Sequence, residues 1–205
     1  MFKKKDLALI KKLNTPAKIQ DYLNTLPFNF EKKGETIKSP TRVLKEGNKS
    51  SIHCMEGALL GAYLLSLFGH KPLLLHLKTT KDDFDHVIAP FVIDGLWGAL
   101  SKTNHAVLRY REPVYKNLRE LVMSYFHEYF LNSNGKKTLR AYSVPLNLNI
   151  YKNKSWWEDE SDLWYIDEKL DKIKHYEIAP KKSFKNLRKA DKIERKIGHF
   201  VEFTP

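Results

Sequence analysis

The single cysteine of the chain, Cys54, stands in Ser51-Ile52-His53-Cys54-Met55-Glu56-Gly57-Ala58, where a polar, turn-rich stretch gives way to an apolar run. About thirty residues later, His86 opens the stretch His86-Val87-Ile88-Ala89-Pro90-Phe91-Val92-Ile93. The thiolate, not the thiol, is the nucleophile, and an ordinary cysteine pKa of about 8.5 leaves little of it ionised at neutral pH. A helix N-terminus supplies unpaired N–H groups and a partial positive charge, and both favour the anion. Cys54 at such a position, with His86 beside it as general base or imidazolium partner, has the parts of a cysteine-nucleophile site. The Cys54 backbone N–H would be one oxyanion donor and the 48–53 loop would give a second. The same residues admit a plainer role, because free cysteines also pack in cores as small apolar groups.

The elements that must position these residues are legible in outline. Residues 6–26 read as two short helices, the second started by Thr15-Pro16 and ended by Pro27. Residues 39–44 could open a further helical turn. From 54 to 68, small and apolar residues run almost unbroken, and no charge follows Glu56, so this helix should be buried nearly all round. Residues 72–77 read as a central strand. The stretches 86–93 and 96–100 pair across Asp94-Gly95, a strong short hairpin signal. A third strand is expected at 106–110, a helix over 115–130 and a late strand over 139–148. With Asp94-Gly95 as a two-residue turn, His86 falls opposite Thr103, and Ser101 shares its face.

On these residues the chain resembles the transglutaminase-like branch of papain-type cysteine proteins. Cys54-Met55-Glu56-Gly57-Ala58, opening an apolar helix, is similar to the Cys-x-Asp/Glu-x-Ala signature of that superfamily. His86, an alternating strand, the Gly95 turn and Trp97 are similar to its His…Gly-x-Trp segment. The stretch from Trp97 to Arg111 also resembles a group of bacterial proteins of this length. The resemblance covers about residues 48–104 and implies an α+β fold, with the N-terminal-Cys helix packed on an antiparallel sheet. It further implies a Cys–His–Asp triad and acyl transfer or hydrolysis at a protein or peptide amide through a thioester. The chain departs from the pattern at the third member, because the position of the aspartate falls at Ser101. Serine can orient an imidazole but brings no negative charge. Asn104 is the nearest alternative able to orient the ring, whereas Asp85 should point to the opposite face and Asp94 lies at the far end of the hairpin. His53, Glu56 and Trp97 complete the expected substrate and oxyanion surroundings. Glu56 also has a simpler reading as a carboxylate complementing the helix dipole.

Composition bounds the rest. A length of 205 residues with 42% hydrophobic and 12% aromatic residues fits one folded domain. We expect a core domain over 1–151 and a C-terminal extension over 152–205, anchored on the core by Trp156, Trp157 and Trp164. No apolar run reaches the roughly 18 residues a membrane span needs, and the N-terminus lacks the long apolar stretch of a secretory signal. One cysteine fits a reducing compartment, so a cytoplasmic protein without membrane attachment is expected. The net charge of +12 raises a second class of function, an inactive basic protein binding nucleic acid or an acidic protein partner. That excess is uneven: residues 1–50 carry 12 basic and 5 acidic side chains, and residues 51–151 carry 11 and 8. No His-Glu-x-x-His or Cys-x-x-Cys spacing and no glycine-rich phosphate loop occurs, so neither metal nor cofactor is expected.

Overall fold

The computed structural model describes residues 4–32 and 34–204. Among the described residues, seven strands form one antiparallel sheet with helices on both faces. In chain order, α1 (Lys4–Lys12), α2 (Pro16–Thr25) and α3 (Pro40–Glu46) precede α4 (Cys54–Leu67), which leads into β1 (Leu73–Lys78), β2 (His86–Ile93) and β3 (Leu96–Leu100). Then come β4 (Arg111–Tyr115), α5 (Leu118–Phe126), β5 (Ala141–Ser143), β6 (Leu146–Asn147), α6 (Trp164–Lys172), β7 (His175–Glu177) and α7 (Lys192–Gly198). The sheet order is β4-β3-β2-β1-β5-β7, with β6 pairing a second portion of β1. The fold is therefore α+β with an antiparallel sheet.

The first helices follow their punctuation. Thr15 caps α2 by accepting from the Lys18 N–H, and Pro16 occupies the first turn, where its missing N–H costs nothing. α4 is buried from Met55 through Leu65 because it lies between the sheet and α2 and α3. Its residues Ala58, Leu59, Ala62 and Leu65 share one core cluster with Val87, Ala89 and Phe91 of β2 and Leu100 of β3. The other face of the sheet carries Leu75, Leu77, Ile88 and Ala99 against Leu121, Val122 and Tyr125 of α5. Covered on both faces, β1 reads as an apolar run without alternation.

The β2–β3 ladder runs from Ile93↔Leu96 to Ala89↔Leu100, the register a two-residue Asp94-Gly95 turn sets. Asp94 and Gly95 both have positive φ, 51° and 79°, the twist that joins two antiparallel strands without splaying them. Three segments differ from the sequence expectation. Residues 106–110 are not a strand, and the strand that follows the hairpin, β4, begins at Arg111. The backbone of 104–108 is bonded elsewhere: Ala106 N–H to the Phe200 carbonyl, and Leu108 N–H to Glu128, with Leu108 at φ 61°. The helix expected over 115–130 is confined to α5, with Asn117 as its N-cap. The late strand is broken at Val144-Pro145 into β5 and β6, which pair with different portions of β1.

Candidate functional site

Cys54 is the first residue of α4 and is partly buried. The turn before it is fixed by a capping box. The His53 ring nitrogen Nδ1 accepts from the Met55 N–H at 3.3 Å, while Glu56 Oε2 accepts from the His53 N–H at 3.2 Å. Glu56 is fully buried and also accepts from the Thr36 hydroxyl at 2.9 Å and the Lys38 N–H at 3.0 Å. It therefore ties the 36–38 loop to the start of the helix. His53 Nε2 donates to the Thr36 carbonyl at 2.7 Å, which anchors the ring beside the thiol.

His86 and Ser101 are both buried at the neighbouring ends of β2 and β3, and His86 Nε2 lies 2.8 Å from Ser101 Oγ. The Ser101 hydroxyl has one proton, and it donates that proton to the Leu108 carbonyl at 2.5 Å. Ser101 Oγ must then accept from His86, so the ring carries its proton on Nε2. That leaves Nδ1 as the acceptor nitrogen of the ring, and the ring bonds the Cys54 thiol. Ser101 is itself clamped by a side chain the sequence reading did not single out. Gln20 of α2 donates to the Ser101 carbonyl at 2.8 Å and accepts from the Ser101 N–H at 2.9 Å. The Leu108 carbonyl, the other unforeseen member, is held through Glu128, which accepts from the Leu108 N–H at 2.6 Å and pairs with Arg111 at 2.7 Å. A glutamine on the same face of α2 as Leu23, buried among apolar neighbours, is the trace of Gln20 that the sequence carried.

The electrostatics centre on the thiol. Burial alone would push the Cys54 thiol up, but hydrogen bonds to the His53 and His86 rings and their positive charge outweigh it and hold it well below the usual cysteine range. Burial would likewise lower His53, yet its bond to Cys54 and the charges of Cys54 and Glu56 raise it to about 9. The contact from the Met55 N–H belongs to the neutral ring; once protonated, Nδ1 turns its proton toward the sulfur.

The other expected residues sit at different places. Asn104 makes no bond to the His86 ring among the described contacts: its amide donates to the Phe203 carbonyl at 2.9 Å and accepts from the Phe203 N–H at 2.8 Å. Trp97 is partly buried against the second core cluster and does not line the cleft. Asp85 lines the same cleft but accepts from Thr79 and from His76 Nε2 at 3.1 Å, with no bond to the His86 ring among the described contacts. Burial opposes its ionisation, but the His76 and Thr79 bonds hold it down to about 2. Cys54, His53 and His86 open onto a cleft of about 680 Å³ whose walls carry Phe28, Phe30, Phe84, Tyr129, Phe130 and Phe203. Among the described residues, no group of three or more His, Cys, Asp or Glu is arranged to hold a metal ion, and no helix is long and apolar enough to cross a membrane.

Chemically, the arrangement offers a thiol poised as thiolate and an imidazole of fixed tautomer. It also offers the Cys54 N–H, which at the first helical position has no intrahelical acceptor. The chain is 28% identical over 119 residues to Tubulinyl-Tyr carboxypeptidase 1 of Mus musculus, covering 52% of this chain. The match spans 32% of that protein, about a third of its length. No protein-family model matches the chain.

Proposed function

We propose that this chain is a cysteine hydrolase of papain-type, transglutaminase-like core that cleaves peptide amide bonds. The observation that carries the reading is the Ser101 hydroxyl, committed to Leu108 on one side and to His86 Nε2 on the other. It does for the ring what a carboxylate or amide does in a Cys–His–Asp/Asn triad, by orientation without charge. His86 Nδ1 takes the Cys54 proton, and the thiolate attacks the substrate carbonyl carbon. The Cys54 N–H then faces the developing oxyanion. The imidazolium returns its proton to the leaving amine as the C–N bond breaks, leaving a thioester on Cys54. Water gives a proton to His86 Nδ1 and attacks that thioester; the C–S bond breaks, the acid leaves and Cys54 returns as the thiolate. The similarity to a carboxypeptidase supports hydrolysis over transfer and a protein or peptide substrate.

The test has two arms. Cys54 should alkylate with iodoacetamide at about pH 6.5 at least tenfold faster than a free peptide thiol, whose ionised fraction there is about one per cent. Ser101→Ala should lower hydrolysis of a peptide library by roughly ten- to a hundredfold, within the range general-base groups contribute. Comparing free with amidated C-termini in that library separates carboxypeptidase from endopeptidase action. Alkylation no faster than the peptide thiol would remove the activated nucleophile and the reading with it.

A further inference from the structure

The segment after α7 does not leave the molecule; it returns across the cleft. The Ala106 N–H donates to the Phe200 carbonyl at 3.1 Å and the Glu202 N–H donates to the Asn104 carbonyl at 2.8 Å, with His105 opposite Val201 in an antiparallel bridge. Asn104 then grips the next residue with its side chain, through the two bonds to the Phe203 backbone. Alternate residues divide as in a strand: Val201 and Phe203 line the cleft that holds Cys54 and His86, and Glu202 turns to Arg109 at 3.2 Å. Phe203 lies under the Lys102 ammonium, 5.1 Å from its ring centroid. Lys102 in turn packs against the first turn of α4, since a Cβ placed on Gly57 would meet its Cβ at 2.3 Å. The segment is moored at its start, where the Gly198 carbonyl accepts from Asn132 at 2.8 Å and lies 3.1 Å from His105 Nδ1.

We propose that the edge Asn104–Ala106 is a peptide-binding track of this cleft, and that the chain's own segment 199–203 occupies it as an intramolecular competitor for substrate. The inference rests on the hydrolase reading for what is inhibited, but not for what is bound. Main-chain pairing along an open edge, with pockets for every second side chain, is how extended peptides are held with little demand on sequence. The ligand class is accordingly an extended peptide with an apolar or aromatic residue in the place of Phe203. Tethering makes even weak binding effective: at an effective concentration of about 1 mM, a segment with a dissociation constant of about 0.1 mM would leave the track open roughly a tenth of the time.

The test uses the full chain with a site-specific protease sequence inserted between Gly198 and His199. Its readout is the reaction of Cys54, the single thiol, with the bulky aromatic disulfide dithiobis-nitrobenzoic acid. Cleavage should accelerate that reaction about tenfold, the inverse of the open fraction. A synthetic peptide of residues 199–204 added back should slow it again. Phe203→Ala in the uncut chain should give part of the rise, which keeps the test decisive if the insertion disturbs folding. Separately, the fluorescein-labelled peptide should bind the cleaved chain carrying Cys54→Ala. Unchanged rates in both the cut and the Phe203→Ala chains, or no binding of the peptide, would overturn the proposal. If Cys54 proves no more reactive than a free thiol while cleavage still accelerates it and the peptide binds, the hydrolase reading fails and the occupied track stands.

Discussion

At the scale of residues, two imidazoles flank one sulfur, and they are placed for different tasks. His86 has its tautomer fixed by Ser101 and can carry a proton between thiol and leaving group. His53 is held through Nε2 by the Thr36 carbonyl, a bond the protonated ring keeps, so it acts as a stationary charge beside the sulfur. This makes a pH dependence with a definite sign. His53, raised to about 9, contributes stability that is fully present below its ordinary value near 6.5 and is lost as pH rises through about 9. Cys54, depressed by the same interaction, contributes above the usual cysteine range and loses that contribution as pH falls through its own lowered value. The two are one coupled pair, so the stabilisation is counted once and occupies the window between them. Cys54→Ser should return the His53 titration toward about 6.5, read from its imidazole proton resonances. The melting-temperature advantage of the native chain over that variant should shrink as pH passes about 9. An ordinary His53 titration in the native chain would contradict the assignment.

At the scale of elements, the site depends on how closely the first turn of α4 meets the end of β3. Gly57 makes that approach possible: a side chain there would drive its Cβ to 2.3 Å from the Lys102 Cβ, one residue beyond Ser101. Gly57→Ala should therefore destabilise by about 1–3 kcal/mol, the usual cost of overpacking. It should also bring Cys54 alkylation at mildly acidic pH back toward that of a peptide thiol, because it parts Ser101 and His86 from the helix. Gly61→Ala is the control, since its nearest clash is the movable Cδ1 of Leu100 at 2.9 Å. Equal losses of reactivity in the two variants would show general loosening instead of a specific separation. The hairpin that carries this geometry was legible because Asp94-Gly95 sets its register locally, which places His86 and Ser101 on one face. The Ser101 clamp was not, since Gln20 lies 81 residues away and no periodicity links a glutamine to a distant strand end. Nor could local alternation show that 106–110 is no strand, because its backbone partners come from Phe200 and Glu128.

At the scale of the molecule, residues 156–170 brace the helix and the loop that carry the site. Part of the lysine excess is internal in the same way: Lys38, Lys102 and Lys137 are buried and donate to backbone carbonyls, so the net charge overstates the basic surface. Trp156, Leu163, Ile166 and Leu170 belong to the core cluster that holds α4. Trp156 meets Tyr63 of that helix edge-on at 6.2 Å, and Trp157 stacks on the same ring at 6.4 Å. The segment also grips the loop before the cysteine. Thr41 N–H donates to the Trp157 carbonyl at 2.9 Å, Leu163 N–H donates to Ile37 at 2.9 Å, and Arg42 pairs with Asp162 at 2.8 Å. That loop carries Thr36 and Lys38, the partners of Glu56, and through Glu56 the turn at His53. Trp156→Ala should thus act on both stability and chemistry. The expected cost is about 3–5 kcal/mol for a buried tryptophan, with a lowered rate of Cys54 alkylation at temperatures where the variant is still folded. Because one cluster spans 1–151 and 152–205, calorimetry of the native chain should show a single transition whose van't Hoff and calorimetric enthalpies agree. A separate, earlier transition for 152–205, with alkylation unaffected by its melting, would show instead that the segment folds apart from the site it touches.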